Sequence, residues 1–204
     1  SLMSHSFSNG AFPPKIACPT MAVWFAFLLA GLVRNAAAAG ESPPNPAGKL
    51  ALDGIPRAKF QLGGLPGERV KANVDQWLTV APHNNPGLLD MFAQRDSGKT
   101  PDLMPWAGEF VGKYLISGVQ ALRMSDDPQL QATLADVVRR LCDLQADDGY
   151  LGPWPKAERL RGQWDLWGHY HIILGLRMWS EHTGDARAAA TAQKMADLVC
   201  NTFL

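Results

Sequence analysis

Two stretches of the sequence combine apolar residues with side chains that could do acid–base or hydrogen-bonding chemistry. In the segment WDLWGHYHIILGLRMW, Asp165 and His169 are four residues apart, so on a helix the carboxylate would lie close enough to orient the imidazole. Glu109 and Lys113 have the same spacing, in the order that favours a helical ion pair. Two interpretations stay open for both pairs: ligand-binding groups in a cavity, or polar groups that are satisfied within the core.

Aromatic residues accompany both pairs. Trp106 and Trp164 precede them in the chain, and Tyr150 and Trp154 lie between them. Large aromatic rings can stack on the apolar faces of sugar rings, but they also fill protein cores, and the residue types alone allow both.

The histidines and cysteines do not predict a metal centre. His169 and His171 are two residues apart and would point to nearly opposite sides of a helix, whereas a zinc pair on one helix needs the four-residue spacing. His171 is therefore predicted to be structural. Cys142 and Cys200 sit in helical patterns beside aliphatic residues, which predicts buried thiols, with a mutual disulfide or a reactive thiol as alternatives.

The composition describes a globular chain. It has 204 residues, 47% of them hydrophobic, and its 19 Lys and Arg residues balance 19 Asp and Glu residues. These charges are mixed along the sequence, without the basic stripe that phosphate backbones or anionic lipids attract. We therefore expect no nucleic-acid partner.

The N-terminus has the pattern of a secretory signal peptide. Lys15 precedes the apolar run Met21–Val33, and small residues suited to cleavage near Ala38 or Ala39 follow it. Residues 1–39 are thus interpreted as a cloning scar, Ser1-Leu2, and a signal peptide, which predicts a secreted or periplasmic protein. Spanning a bilayer takes about 20 apolar residues, so we expect no stable membrane anchor after cleavage, with an uncleaved anchor as the alternative.

The remaining chain divides into a short extended part and a helical part. Residues 40–66 are rich in proline and glycine, which predicts an extended segment leading into the first helix. Helical patterns cover about residues 67–80 and 86–94, and stronger ones follow from Trp106 to the end.

One pattern occurs twice after residue 105. Each copy has a helix that is apolar nearly all round, then a capping aspartate, then a helix with a single apolar face. Corresponding residues are 58 positions apart: Trp106 and Trp164, Asp127 and Asp185, Cys142 and Cys200. The first helix of each copy must be covered on two sides and the second on one, which predicts an all-α fold of repeated helical hairpins in two layers, an α/α toroid or an α-solenoid.

The two copies are joined by a long irregular segment, Ala146–Gln163, whereas the turns inside each copy are short. Long ordered loops in compact domains are usually functional. We therefore expect the functional end of the helices to be the end beside this loop, where polar and aromatic residues begin the two apolar helices: Trp106, Glu109, Trp164, Asp165, Trp167 and His169.

Several segments together resemble one known family. PWAGEFVGKYL, LQADDGYLGPW, WDLWGHYHIILGL and TGDARAAATAQKMADLVCNTF, in this order, are similar to the N-terminal part of the β-L-arabinofuranosidases of glycoside hydrolase family 127, and NVDQWLTVAPHNNPGLLDMF is similar as well. The resemblance implies an (α/α)6 toroid, here residues 67–204 as its N-terminal part, followed by β-sandwich domains. It also implies retaining hydrolysis of non-reducing-end β-L-arabinofuranosides by a cysteine nucleophile at a zinc site and a glutamate acid/base.

No segment of this sequence matches those catalytic motifs, so we expect no catalytic residue and no cofactor within the chain, with zinc in a downstream part. Many family members have His-Glu where Trp164-Asp165 stand, so a sugar-binding histidine does not carry over to position 164, whereas His171 matches a family histidine. The chain is thus predicted to be an N-terminal fragment of a secreted glycoside hydrolase acting on plant-type glycans. With its open edge of apolar helices exposed, such a fragment is expected to self-associate.

The residues predicted to bind a carbohydrate substrate are Asp165, His169, Glu109, Trp106, Trp164 and Trp154. Two other classes of function remain as alternatives. One is a non-catalytic helical-repeat module that binds glycans or a protein, and the other is a different toroid sugar enzyme, an epimerase or an unsaturated glucuronyl hydrolase.

Overall fold

The computed structural model describes residues 55, 57–98 and 102–204, which belong to one compact unit, Leu52–Leu204. Within these residues the regular secondary structure is entirely helical, which confirms the predicted all-α class. No helix among them is both long and apolar enough to cross a membrane. The predicted signal peptide and most of the predicted extended segment lie outside the described residues.

The helices follow one another without any intervening strand in the described part of the chain. They are α1 (Gly64–Asn73), a π-helical turn (Val74–Leu78), α2 (Ala81–Asn84), α3 (Gly87–Gln94), α4 (Glu109–Ser125), α5 (Pro128–Asp143), α6 (Asp165–Thr183) and α7 (Ala186–Phe203).

The first helical region differs from the prediction in its start and in its continuity. Helix α1 begins at Gly64, within the predicted extended segment, and the single helix expected to reach residue 80 is divided by the π-helical turn. The Thr79 N–H and hydroxyl both donate to the Val74 carbonyl, at 3.1 and 2.9 Å, so the backbone bond spans five residues instead of four. This widened bond is the local cause of the interruption.

The predicted hairpins form, and their caps are the predicted residues. Asp127 Oδ1 accepts a hydrogen bond from the Leu130 N–H at 2.8 Å, and Asp185 Oδ1 accepts from the N–H groups of Arg187 and Ala188. Gly184 ends α6 in the left-handed conformation, with φ 85°. Local capping chemistry therefore fixes where α5 and α7 begin.

The four long helices lie in two layers. The inner helices α4 and α6 pack mainly against each other, while α5 packs behind α4, α7 packs behind α6, and α5 touches α7. The single apolar face predicted for α5 is turned toward the inner layer. Its buried residues are Leu130, Leu134, Val137, Val138 and Leu141, while Leu144, just after the helix, is partly exposed. The repeated hairpins thus form part of an α/α toroid.

Glycines allow α4 and α6 to approach closely. A methyl group added at Gly112 would lie 2.4 Å from the backbone carbonyl carbon of His171, and one at Gly175 would lie 3.0 Å from the Gly112 carbonyl oxygen. Gly168 faces the Gly108 backbone, where an added methyl would lie 3.3 Å away. Real side chains do not approach a backbone to 2.4 Å, so the contact requires glycine at position 112 and is tight at positions 168 and 175.

Candidate functional site

The inner helices begin side by side, next to the long loop. The Trp164 N–H donates to the Pro105 carbonyl at 3.1 Å, and the backbones of Gly108 and Gly168 face each other. This places five of the six predicted substrate-binding residues, all but Trp154, at the beginnings of two adjacent helices. Trp106 lies in the turn before α4 rather than in its first helical turn.

Asp165 anchors the long loop from inside the protein. Its side chain is 1% exposed, and Oδ2 accepts a hydrogen bond from the Leu160 N–H at 2.7 Å. Leu160 has φ 62°, a conformation that a residue with a side chain adopts only when its surroundings hold it there. The carboxylate therefore stabilises a strained turn. This oxygen fits the interpretation of Asp165 as a polar group that is satisfied within the core.

The second oxygen of Asp165 meets two other polar groups. Oδ1 lies 3.4 Å from His169 Nδ1 and has no close hydrogen-bond partner, while Nδ1 also lies 3.0 Å from the Asp165 carbonyl oxygen. A methyl group added at Gly152 would be 2.7 Å from Oδ1 and 2.3 Å from the Tyr150 hydroxyl, so both oxygens border the same small space. The hydrogen bond that orients the imidazole is thus made with the Asp165 backbone carbonyl, and the carboxylate, predicted to orient it, lies beside the ring at 3.4 Å.

His169 is held by these contacts with one ring nitrogen left over. Nδ1 is directed at the Asp165 carbonyl, the ring lies 5.0 Å from the Tyr150 ring, and the buried Nε2 has no partner among the described residues. An Nδ1 that donates to the carbonyl leaves Nε2 as an acceptor. In this tautomer the buried Nε2 has the lone pair to accept a hydrogen bond from a hydroxyl group.

Tyr150 is completely buried beneath the loop, which favours the core interpretation over the sugar-stacking one that the sequence also left open. Its hydroxyl accepts from the Trp154 N–H at 3.1 Å. Burial, and then the nearby Asp165 carboxylate, raise the pKa of Tyr150, so that the hydroxyl keeps its proton. Tyr150 is a structural centre of the loop.

Two arginines that were not predicted as functional residues pack against the Tyr150 ring. The Arg159 guanidinium lies 4.3 Å from the ring centroid and pairs with Asp96 at 2.7 Å and Asp148 at 3.2 Å. Arg95 lies 5.8 Å from the same centroid and donates to the Leu144 carbonyl at 2.7 Å. Burial, together with the charge of Arg159, lowers the pKa of Arg95. These contacts join residues far apart in the chain, which no local pattern reveals.

Trp154 is 3% exposed, so its ring offers no open face to a sugar in this structure. The neighbouring Pro153 packs against Gly108, where an added methyl would lie 2.9 Å from the proline Cδ. The prediction of Trp154 as a stacking residue is therefore not supported by its position, because the loop folds inward and buries its aromatic residues.

Among the predicted substrate-binding residues, Trp106 and Trp164 are the exposed aromatic ones, at 37% and 55%; Trp167, at the same end of α6, is exposed as well. The ring centroids of Trp106 and Trp164 are 5.8 Å apart and the rings are tilted by 59°. Two exposed indoles at this distance form an apolar surface of the kind that stacks on a sugar ring. We call these two residues the tryptophan pair.

Glu109 forms the predicted ion pair, since its Oε1 lies 2.6 Å from Lys113 Nζ. Its Oε2 is buried and has no partner among the described residues. The salt bridge thus accounts for one carboxylate oxygen, and the other keeps the capacity to accept a hydroxyl group.

His171, Cys142 and Cys200 were not predicted to bind substrate, and their surroundings are as follows. The His171 ring packs edge-on against Trp167 and Tyr170, and its Nδ1 lies 2.9 Å from the Trp167 carbonyl oxygen. Cys142 is buried, and burial raises the pKa of its thiol. Cys200 is exposed, which corrects the prediction that both thiols are buried, and neither cysteine forms a disulfide.

The family model described as beta-L-arabinofuranosidase, GH127 catalytic domain, matches residues 69–203. The chain belongs to this family. No curated protein sequence matches the chain. Its structure is similar to that of Ara127N-Se, a GH127 beta-L-arabinofuranosidase from Geobacillus stearothermophilus T6, with a TM-score of 0.54 and 21% identity over 66% of this chain and 24% of that one.

The GH127 beta-arabinofuranosidase BT3674 is similar too, with a TM-score of 0.55 and 18% identity over 67% of this chain and 25% of that one. The chain thus spans about a quarter of the length of these two proteins. At these identities the likeness concerns the fold, and it agrees with a partial toroid.

The zinc site implied by the family does not fit the residues present. In the ranges 57–98 and 102–204, no three His, Cys, Asp or Glu side chains are grouped so that they could hold a metal ion. Cys142 and Cys200 lie on different helices, one buried and one exposed. No step of the chemistry can be assigned to zinc in this part of the protein.

Proposed function

We propose that this chain forms the N-terminal hairpins of a secreted glycoside hydrolase that acts on β-L-arabinofuranosides of plant-type glycans, and that it contributes a sugar-binding surface rather than catalytic groups. Membership of the GH127 family supports the reaction class. The apolar run Met21–Val33 and the small residues after it support export.

The tryptophan pair is the observation that carries the binding role. It is exposed at the end of the inner helices where the long loop lies, beside Glu109, Asp165 and His169, which each keep one unpartnered polar atom. An apolar surface next to a few polar groups is the usual composition of a small-ligand site. The rings would bind the apolar face of the sugar, and the polar atoms would select its hydroxyl groups once their cover is displaced.

The test is a kinetic assay of the native secreted protein that contains these residues. We expect turnover of an aryl β-L-arabinofuranoside and not of the α anomer. Trp164→Ala should raise KM about tenfold, as expected for the loss of one stacking contact of about 1.4 kcal/mol, with a smaller change in kcat.

The matched control is Phe60→Ala. Phe60 is an exposed aromatic residue at the other end of α4, where its N–H donates to the Arg123 carbonyl. This variant should keep the KM of the parent. Binding of the sugar without turnover would favour the non-catalytic module, and an unchanged KM in Trp164→Ala would remove the tryptophan pair from the site.

A further inference from the structure

Trp164 follows directly after a tight turn at the end of the long loop. In this turn the Gly162 N–H donates to the Glu158 carbonyl at 3.1 Å, and Leu160 and Gln163 have φ of 62° and 50°. Residues other than glycine keep a positive φ only where contacts hold them there. The position of the Trp164 ring therefore depends on the contacts that hold this turn.

Two side chains hold adjacent residues of the turn. Asp165 accepts from the Leu160 N–H at 2.7 Å. Arg159 belongs to the turn itself, and its Nη2 lies 2.7 Å from Asp96 while its Nη1 lies 3.2 Å from Asp148. Because Asp96 follows α3 and Asp148 follows α5, the guanidinium joins the turn to two other parts of the chain.

The guanidinium of Arg159 also packs on an aromatic face. Its Cζ lies 4.3 Å from the centroid of the buried Tyr150 ring, and the Arg159 side chain is only 12% exposed. A guanidinium donates hydrogen bonds in its plane and stacks through its faces, which an ammonium group cannot do. The three contacts together fix both the place and the orientation of this side chain.

The partners of Arg159 lie in connections and not in helices. Asp96, Asp148 and Tyr150 are all outside the helical segments, whereas the hairpins are held by their own apolar faces and caps. Loss of the Arg159 contacts is therefore expected to alter the turn and to leave the helices in place.

The end of the turn is next to both members of the tryptophan pair. The Trp164 N–H donates at 3.1 Å to the carbonyl of Pro105, the residue before Trp106. The two rings are in contact range, with centroids 5.8 Å apart. A turn that relaxes would thus change the distance or the tilt between these rings.

We propose that Arg159 is a positioning residue for the tryptophan pair: it holds the turn in the conformation that keeps the Trp164 ring beside Trp106, without contacting the sugar itself. Its importance for catalysis rests on the proposed sugar-binding function of the pair, whereas its effect on the geometry of the pair does not.

The first test uses no sugar. Two indoles this close couple electronically and add two bands of opposite sign to the circular dichroism spectrum. In the native protein that contains these residues, subtracting the spectrum of Trp106→Phe isolates these bands. Arg159→Met keeps the length of the side chain but removes its charge, and it should weaken the bands when the same subtraction is made in its background. Unchanged bands would overturn the proposal.

The second test is a double-mutant cycle with an aryl β-L-arabinofuranoside. Arg159→Met should raise KM about fivefold with little change in kcat, less than Trp164→Ala because the ring is displaced and not removed. Added to Trp164→Ala, it should raise KM no further, because Arg159 acts through that ring. Additive effects would overturn the proposal. An unchanged KM in Trp164→Ala together with weakened bands in Arg159→Met would reject the sugar site but not the positioning of the pair.

The matched control is Arg161→Met, which changes an exposed arginine of the same turn. It should keep the bands and the KM of the parent, and changes as large as those of Arg159→Met would count against a specific role of Arg159. Arg159→Lys keeps the charge but not the stacked plane and should fall between parent and Arg159→Met. If Arg159→Met fails to fold, Asp96→Asn, which removes the shortest ion pair, should show the same changes at a smaller size, and parent-like bands in it would overturn the proposal.

Discussion

The first hairpin, α4–α5, and the second, α6–α7, have the same pattern of residues but different surroundings. Cys142 is buried on α5, whereas its counterpart Cys200 is exposed on α7. Gly112 lies at the centre of a helix contact, whereas Tyr170, at the same place in the repeat, is exposed. The first hairpin has neighbours on both sides and the second has a neighbour on one side only, within the described residues.

The two hairpins also differ in the polar side chains near the long loop. Asp165 anchors the long loop at the start of α6, but the equivalent position before α4 is the buried Ala107. The second hairpin thus holds the loop in place while the first provides the surface on which α6 packs. Equivalent residues of the two hairpins thus have different roles because the neighbours of each hairpin differ.

The largest effect is expected at the helix contact. Gly112→Ala should lower the free energy of unfolding by about 3 kcal/mol, because the new methyl group would meet the His171 backbone, which cannot rotate away. Thermal and urea unfolding measure this loss. Gly87→Ala, where no atom lies within 4 Å of the added methyl group, is the control and should cost little. Equal stability of the two variants would contradict the close approach of α4 and α6.

A smaller loss is expected at the loop anchor. Asp165→Ala should destabilise the protein by about 2 kcal/mol, because the buried Leu160 N–H loses its acceptor. Trypsin should then cut the loop faster after Arg159 or Arg161. Asp165→Asn keeps an acceptor oxygen and should restore most of the resistance, so equal cleavage of the two variants would show that the hydrogen bond does not hold the loop.

The caps of the two hairpins should differ by a modest amount. Asp127→Ala should cost about 1 kcal/mol, the usual value for a lost cap. Asp185→Ala should cost more, because Asp185 Oδ2 also accepts from the buried Trp179 indole N–H at 3.1 Å. Asp185→Ser, which keeps a capping oxygen, separates the two contributions in urea unfolding. Identical losses for the two alanine variants would mean that the indole bond adds nothing.

The last prediction concerns the chemical reactivity of the two cysteines and involves no loss of stability. A maleimide should label the exposed Cys200 quickly and Cys142 slowly, because burial both shields the Cys142 thiol and raises its pKa, which reduces the reactive thiolate. Peptide mapping after labelling distinguishes the two sites. The rate at Cys142 should rise with pH above neutrality, and equal labelling of both sites at pH 7 would contradict the difference in cover.

Features set by neighbouring residues were predictable from the sequence. The capping role of Asp127 and Asp185 depends on N–H groups two or three residues away, so the pattern located the starts of α5 and α7. The two-layer arrangement followed from the apolar faces of the helices, since an amphipathic helix can bury only one face. The ion pair of Glu109 with Lys113 was likewise a local prediction.

Features set by distant contacts were not predictable. Arg95 and Arg159 cover the Tyr150 ring, and the inward fold of the loop buries Trp154, so their aromatic character alone could not decide between core packing and sugar stacking. The role of Gly112 became visible only when α6 was placed against it. The exposure of Cys200 reflects the open side of the second hairpin, whereas its sequence neighbours resemble those of the buried Cys142.

The sugar-binding assignment is tested most directly by a crystal structure of the native protein that contains these residues, soaked with L-arabinose. We predict density for a sugar ring stacked on the tryptophan pair, with a hydroxyl group within hydrogen-bonding distance of Glu109 Oε2 or His169 Nε2. A sugar bound elsewhere, with Trp106 and Trp164 covered by other parts of the protein, would contradict the assignment of the substrate to this end of the inner helices.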